Sequence, residues 1–542
     1  MLLVLFASFC FGHIAAQTYT VHVTNTGQLQ AEIELQATLA DVVNLTIITD
    51  AEYLQGEDFW FMRDNLPNLK TLDISGVTLR DKKIPDRAFA QEVAGIWVGH
   101  AALQSVTFPT TTTFEMIGEH AFHNCPSLGA VDLSGCTSLE TIVNGAFEGS
   151  GMTSIQLPNS LKDVRQGAFS GTQITELNLL NTSIETLNSI IGGNESPVTY
   201  APINTLLLPA GLKTINGYSL TFFNNIEELT IPASVTSING DAFQSGGKST
   251  NVKTITVEDG NANYFTQDNA LYEKDASGNP TGRMMYYAHK SEVEHLVIPE
   301  GITIVDGCFK NAINIERIDF PTTLTDLWGE TLQNCTALGI LAFKSTTLPY
   351  FDDMGTLLHG ANKGAMAIYV PAGKIDAYFG AINCADINKA NYKEAYTVTI
   401  TGGTASSTFD IPGTIIDITA DAPDAGEEFK TWSATGVTLG SNTSATTTFT
   451  MPTNDVSITA TFGTNTGIND IQGADDIIIY PNPTADFIQV KGLSESVSFN
   501  IINSLGQTVK SGLYNGSIGV NDLPAGIYFF SIAGKTKTFI KK

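Results

Sequence analysis

The sequence predicts a β-rich repeat solenoid with a parallel sheet, followed by two small all-β domains, the last an immunoglobulin-like sandwich. Three observations carry this reading. A block of about 23 residues recurs through the first two thirds of the chain with the same residue classes in phase. From Tyr396 onward the period stops, and alternating segments rich in Thr, Ser and Gly take over. The chain has 542 residues, which at about 150 per domain leaves room for three or four units.

Composition narrows the function classes. With 42% apolar and only 15% charged residues the chain is too hydrophobic to be disordered. Lys and Arg total 28 against 55 Asp and Glu, a net charge of −27. Such an excess repels phosphate backbones and anionic lipid, so no nucleic-acid partner is expected. Segment 1–17 has an apolar run too short to span a bilayer, then small residues Ala15 and Ala16 before Gln17. It reads as a secretory signal peptide. No later stretch reaches the roughly 18 apolar residues of a membrane helix, so no membrane span is expected. Beyond the leader stand Cys125, Cys136, Cys308, Cys335 and Cys384. Their odd number and irregular spacing argue against a disulfide framework.

The repeat reads as LQSVTFP (103–109) followed by IGEHAFHNC (117–125). It returns as IQLP (155–158) with VRQGAF (164–169), LTIP (229–232) with INGDAF (238–243), and LVIP (296–299) with VDGCF (305–309). Pro209 and Pro232 are 23 residues apart, and Pro158–Phe169 and Pro232–Phe243 are both spaced by 11. In the Leu-x-Ile-Pro segment alternation points two apolar side chains inward and the middle one outward. Proline then ends the strand, because it cannot donate the next ladder bond. The Ile-x-x-x-Ala-Phe segment supplies a second inward wall, and glycine before Ala-Phe permits a tight turn. One such unit cannot bury its faces alone, so stacking is obligatory. The solenoid is placed at 71–390, with residues 18–70 as a less regular N-terminal cap. Within it, 269–272 (NALY) and 284–288 (MMYYA) flank 277–282 (SGNPTG), predicting a hairpin inserted at 259–292. Segments 368–371 (IYVP) and 375–379 (IDAYF) predict a closing strand and a short capping helix.

These residues resemble the BspA-like leucine-rich repeat family of bacterial and some protozoan surfaces, over about residues 60–385. Strands are expected at 396–400, 415–420, 446–450 and 456–462, forming a small β domain at 395–463. Its Gly426, Phe429, Trp432 and the segment FTMP (449–452) are similar to divergent internalin-B-type repeats, which are spacer or binding modules. A polar linker at 464–474 follows. Segments 477–483 (IIIYPNP), 501–506 (IINSLG) and 521–528 (NDLPAGIY) then resemble the C-terminal sorting domain of type IX secretion cargo in Bacteroidetes, over 475–542. Its motif positions here are Tyr480, Pro481, Asn482, Pro483, Gly506, Pro524, Gly526 and Tyr528. The resemblance implies passage across the outer membrane by the type IX secretion machinery and display on the cell surface.

No catalytic, cofactor or metal residue is assigned. His120, His123 and Cys125 lie in one repeat, but a later repeat places Gly167 and Ser170 where the histidines stand. Cys125 has a counterpart in Cys335, so it suits a small buried position, and a fourth ligand is missing. Gly247, Lys248 and Ser249 hint at a phosphate loop, but the glycine required five places earlier is Ala242. No nucleophile elbow or His-Glu-x-x-His helix occurs. The acidic turn 259–263 (DGNAN) reads as a plain turn rather than a calcium site.

A ligand would meet the outward residue of each strand: Asp73, Thr107, Asp132, Gln156, Asn178, Leu207, Thr230, Thr256, Val297 and Asp319. Short, mostly polar side chains in a ladder suit multi-point recognition of a protein or glycan. Equally, Thr and Asp stand there for strand propensity and solubility alone. The family implies adhesion, so the leading expectation is non-enzymatic, adhesin-like binding of host or bacterial surface proteins or glycans. The alternatives are a surface scaffold without a specific ligand and a secreted hydrolase.

Overall fold

A computed structural model describes residues 17–50, 52–110, 112–192, 200–243, 251–382, 384, 386–464, 478–491, 497–532 and 535–542. The leader but for Gln17, the linker but for Thr464, and Gly247 to Ser249 lie outside the described residues.

The repeats stack with three walls. The first is the run of parallel strands ending in proline. Ile155–Gln156 stops before Pro158, Thr205–Leu207 before Pro209, and Glu228–Ile231 at Pro232. Each proline carbonyl then accepts from the amide three residues on, as Pro158 does from Leu161 and Pro232 from Val235. The second wall is made of two-residue parallel strands. Lys83–Ile84, Met116–Ile117, Thr141–Ile142 and Asp163–Val164 pair in succession.

The third wall is the Ala-Phe turn. Its amides bond to the same turn one repeat on, as Phe122 N to Ala146 O (2.7 Å) and Phe147 N to Ala168 O (2.9 Å). Gly145, Gly167, Gly307 and Gly329 open these turns with φ between 58° and 67°. Arg87, His120 and Tyr218 take the same backbone without being glycine, at φ 51–60°. The expected glycine is thus a preference of the turn and not a requirement.

Inside the walls the phenylalanines form a column. Ring centroids of Phe89, Phe122, Phe147 and Phe169 follow one another at 5.4, 5.2 and 6.2 Å, all stacked. Phe122, Phe147 and Phe169 are fully buried and Phe243 is buried. Full burial of such a side chain contributes roughly 1.5–3 kcal/mol, so the column is a main source of the solenoid's stability. The five cysteines named above are free, and all but Cys384 are buried.

Residues 18–70 differ from the sequence expectation. They form two strand–helix units that extend the first wall. Thr18–Val23 pairs in parallel with Asn44–Thr49, which pairs with Thr71–Gly76, and that with Ser105–Thr107. Helices Leu29–Glu34 and Gly56–Asn65 replace the Ala-Phe turns on the return path. Further on, Tyr264–Gln267, Ala270–Lys274 and Pro280–Tyr287 make an antiparallel meander. Its last strand rejoins the second wall by pairing in parallel with Ile302–Asp306.

The strand expected to close the solenoid does not close it. Ala367–Pro371 pairs in parallel with the ten-residue strand Tyr392–Thr401 over Ile368↔Tyr392 to Pro371↔Ala395. The second half of that strand pairs with Val456–Thr464. One strand therefore belongs to both the solenoid and the small β domain. The core of the latter holds Trp432, Phe449, Met451 and Ile458. The C-terminal unit has a sheet of Ile478–Tyr480, Phe487–Lys491 and Ile518–Gly519. A second sheet contains Thr508–Tyr514, Val497–Asn503, Gly526–Ile532 and Lys535–Lys541. Their apolar faces share one core around Ile488, Ile501, Val520 and Phe539.

Candidate binding face and sorting motif

The outward row of the first wall is in parallel register: Asp73 beside Thr107, Asp132 beside Gln156, Asn178 beside Leu207, Thr230 beside Thr256, and Val297 beside Asp319. Thr107, Asp132, Gln156, Asn178, Thr230 and Thr256 are exposed, while Asp73, Leu207 and Val297 are half-buried.

Several of these side chains are already engaged. Asp73 Oδ1 accepts from Ser75 N (2.9 Å) and Ser75 Oγ (2.7 Å), and Asp132 Oδ1 accepts likewise from Ser134. Those bonds from Ser134 hold the Asp132 carboxyl below its usual range. Asn178 Oδ1 accepts from Leu180 N (3.1 Å). These three close the turn after their own strand. The hydroxyls of Thr230 and Thr256 lie 3.0 Å apart, a cross-strand pair on the surface.

Asp319 departs from expectation. It occupies the outward row but is wholly buried, because the small β domain sits on the end of that row. The row runs on from Asp319 to Ala342 and Tyr369, and Ala342, Tyr369, Ala395 and Phe409 share a small core. Arg317 ties the two units. Its guanidinium donates to Asp319 (2.6 and 3.2 Å), to Asp410 Oδ2 (2.8 Å) and to Phe409 O (2.6 Å). His295 Nε2 lies 3.2 Å from Asp319 Oδ1. Burial alone would raise the Asp319 carboxyl; the contacts with His295 and Arg317 outweigh it and hold the group below its ordinary value. Asp319 is therefore a docking residue, and the accessible row ends at Val297.

An open groove of about 670 Å³ crosses the row, lined among others by Leu180, Leu207, Glu228, Thr230 and Glu258. Sequence reasoning found Leu207 and Thr230 through alternation. It missed the acidic rim, because Glu228 and Glu258 carry no motif and are gathered only by stacking.

The sorting motif has structural work. Asn482 Oδ1 accepts from Ile540 N (2.8 Å) and its Nδ2 donates to Thr538 O (3.2 Å), clasping the last strand. It sits between Pro481 and Pro483, and the peptide bonds before both prolines are cis. Tyr480 is exposed in the short strand that precedes them. Gly506 takes φ 79° in the turn capped by Asn503. Tyr528, two residues after Gly526, donates its hydroxyl to Pro524 O (2.9 Å). Among the described residues no helix is long and apolar enough to cross a membrane.

A three-walled parallel solenoid with this column of phenylalanines defines a leucine-rich repeat fold. Comparison with known families agrees. Residues 82–191, 182–274 and 283–353 match the BspA type leucine rich repeat region, 395–466 the divergent InlB B-repeat domain, and 478–542 the secretion system C-terminal sorting domain. The chain thus carries a BspA-type leucine-rich repeat region, a divergent InlB-type repeat and a type IX sorting tail that implies a Bacteroidetes source, and it is secreted to the cell surface. No curated protein matches it. Among solved structures it is similar to a leucine rich cell surface protein from Faecalibacterium prausnitzii, with 22% identity, TM-score 0.39, and coverage of 58% of this chain and 82% of the other. The pneumococcal vaccine antigen PcpA gives 15% identity and TM-score 0.32 over 60% and 87%. A leucine-rich repeat protein from Eubacterium ventriosum gives 15% and 0.32 over 71% and 82%.

Proposed function

We propose that this protein is a non-enzymatic adhesin, exported by type IX secretion, whose outward row binds proteins or glycans of host or neighbouring cells. The observation that supports this reading is the row itself. Thr107, Gln156, Thr230 and Thr256 leave short polar groups at the surface along the row, and Leu207 and Leu180 add apolar area beside the groove. A shallow, polar, extended surface fits multi-point macromolecular recognition better than enclosure of a small substrate.

Replacing Thr230 and Thr256 together with Arg tests it, since two long cations block the row without entering the core. Binding of the purified protein to extracellular-matrix and mucin-type glycoproteins is the measurement. A loss of at least about tenfold, or 1.4 kcal/mol, is expected. Unchanged binding in the double variant rules this face out, and absence of binding by the parent chain favours a scaffold.

A further inference from the structure

One cluster remains outside the proposed binding face. His120 and His123 lie on one Ala-Phe turn and Glu148 on the next, one ligand atom from each lying within 4.8 Å of the others. The two Nδ1 atoms are 3.1 Å apart, and His123 Nδ1 is 3.8 Å from Glu148 Oε2. Bonds of about 2.0–2.1 Å at tetrahedral angles set two donor atoms about 3.3–3.4 Å apart. The imidazole pair thus stands close to the separation that one zinc ion imposes.

The surroundings hold this arrangement. Trp97, on the strand Ile96–Gly99 that pairs antiparallel with Ala90–Val93, lies against both rings at centroid distances of 4.3 and 4.7 Å. Gly145 leaves the space His120 fills, because a Cβ there would come within 2.4 Å of its Nδ1 and 3.0 Å of Glu148 Oε2. The His123 and Glu148 side chains are 4% and 13% exposed, so most water is excluded while a path to solvent remains. Cys125 takes no part: its Sγ is directed to Phe89 O, 3.5 Å away in the core.

The geometry points to a zinc-class divalent metal site formed by His120 Nδ1, His123 Nδ1 and a Glu148 carboxylate oxygen, with one coordination position left for water. Two borderline nitrogens and one hard oxygen suit Zn²⁺ over Ca²⁺ or Mg²⁺, which take oxygen donors. Because the ligands come from successive turns, the ion would cross-link two repeats.

The test uses the untagged full chain, stripped with a chelator and titrated with Co²⁺ as a spectroscopic stand-in. Intense four-coordinate ligand-field bands that saturate at one equivalent and bleach on adding Zn²⁺ are expected. Glu148→Gln and His120→Asn, the latter a residue that tolerates positive φ, should each weaken Co²⁺ binding at least about tenfold. Co²⁺ should also quench the fluorescence component that Trp97→Phe removes, which reads the site in an otherwise intact fold. Absence of the bands, undiminished affinity in either ligand variant, or quenching that persists fully in Trp97→Phe overturns the assignment.

Discussion

Replacing Arg317 with Met should detach the small β domain from the solenoid. The guanidinium bridges two carboxylates, and Asp319 and Asp410 are both buried. Methionine retains the aliphatic stem and removes the charge, so both carboxylates lose their cation without regaining water. Breaking a buried pair in this way costs about 3–5 kcal/mol, against about 0–1 for an exposed one. Trp432 lies in the core of the small domain, so in a background where Trp60, Trp97 and Trp328 are replaced by Phe its fluorescence during urea unfolding reports that domain, while far-UV dichroism follows the whole chain. The parent should show coupled transitions, and Arg317→Met an early fluorescence transition. Arg317→Met combined with Asp319→Leu should recover part of the loss, since an apolar replacement leaves one fewer orphaned charge. Acid should weaken the same junction. The Asp319 carboxyl is held below its ordinary 3.8. Its contribution is therefore full above that value and is lost as pH falls through the lower folded value. A change of under about 1 kcal/mol in Arg317→Met would refute the view that this cation fastens the two units.

Two further perturbations probe the column and the tail. Phe147→Ala removes the fully buried ring between Phe122 and Phe169 and should cost about 3–5 kcal/mol, read as a lower urea midpoint; Leu180, exposed at 45%, should tolerate alanine within about 0.5 kcal/mol. Asn482→Ala removes both clasping bonds to the last strand and should destabilise the isolated transition of the C-terminal unit by about 1–3 kcal/mol. Hydrogen exchange at the amides of Ile540 and Lys542 is the sensitive reading.

What the sequence made legible followed from periodicity. The 11-residue step from proline to phenylalanine located both inward walls, and period-two alternation located the outward row from Asp73 to Val297. The first two strand–helix units were not legible, because residues 18–70 lack the Ile-Pro and Ala-Phe anchors and form the same sheet through helical returns. The fate of Asp319 depended on Phe409 and Asp410, far along the chain, which Arg317 holds beside it and which no local pattern connects to it. Glu148 was missed beside His120 and His123 for a related reason. A search within one repeat cannot see a ligand contributed by the next, although the stacking period places position 148 directly over position 123.

The strand Tyr392–Thr401, shared between solenoid and small domain, determines how the molecule carries load. Tension drawn from the chain beyond Thr464 reaches the repeats along the strand axes, through parallel neighbours at Val398↔Val456 and Pro371↔Ala395. Bonds loaded in shear yield together, whereas bonds opened like a zipper yield singly. The junction that a hinge would have made the weakest link is thus built to resist being pulled apart.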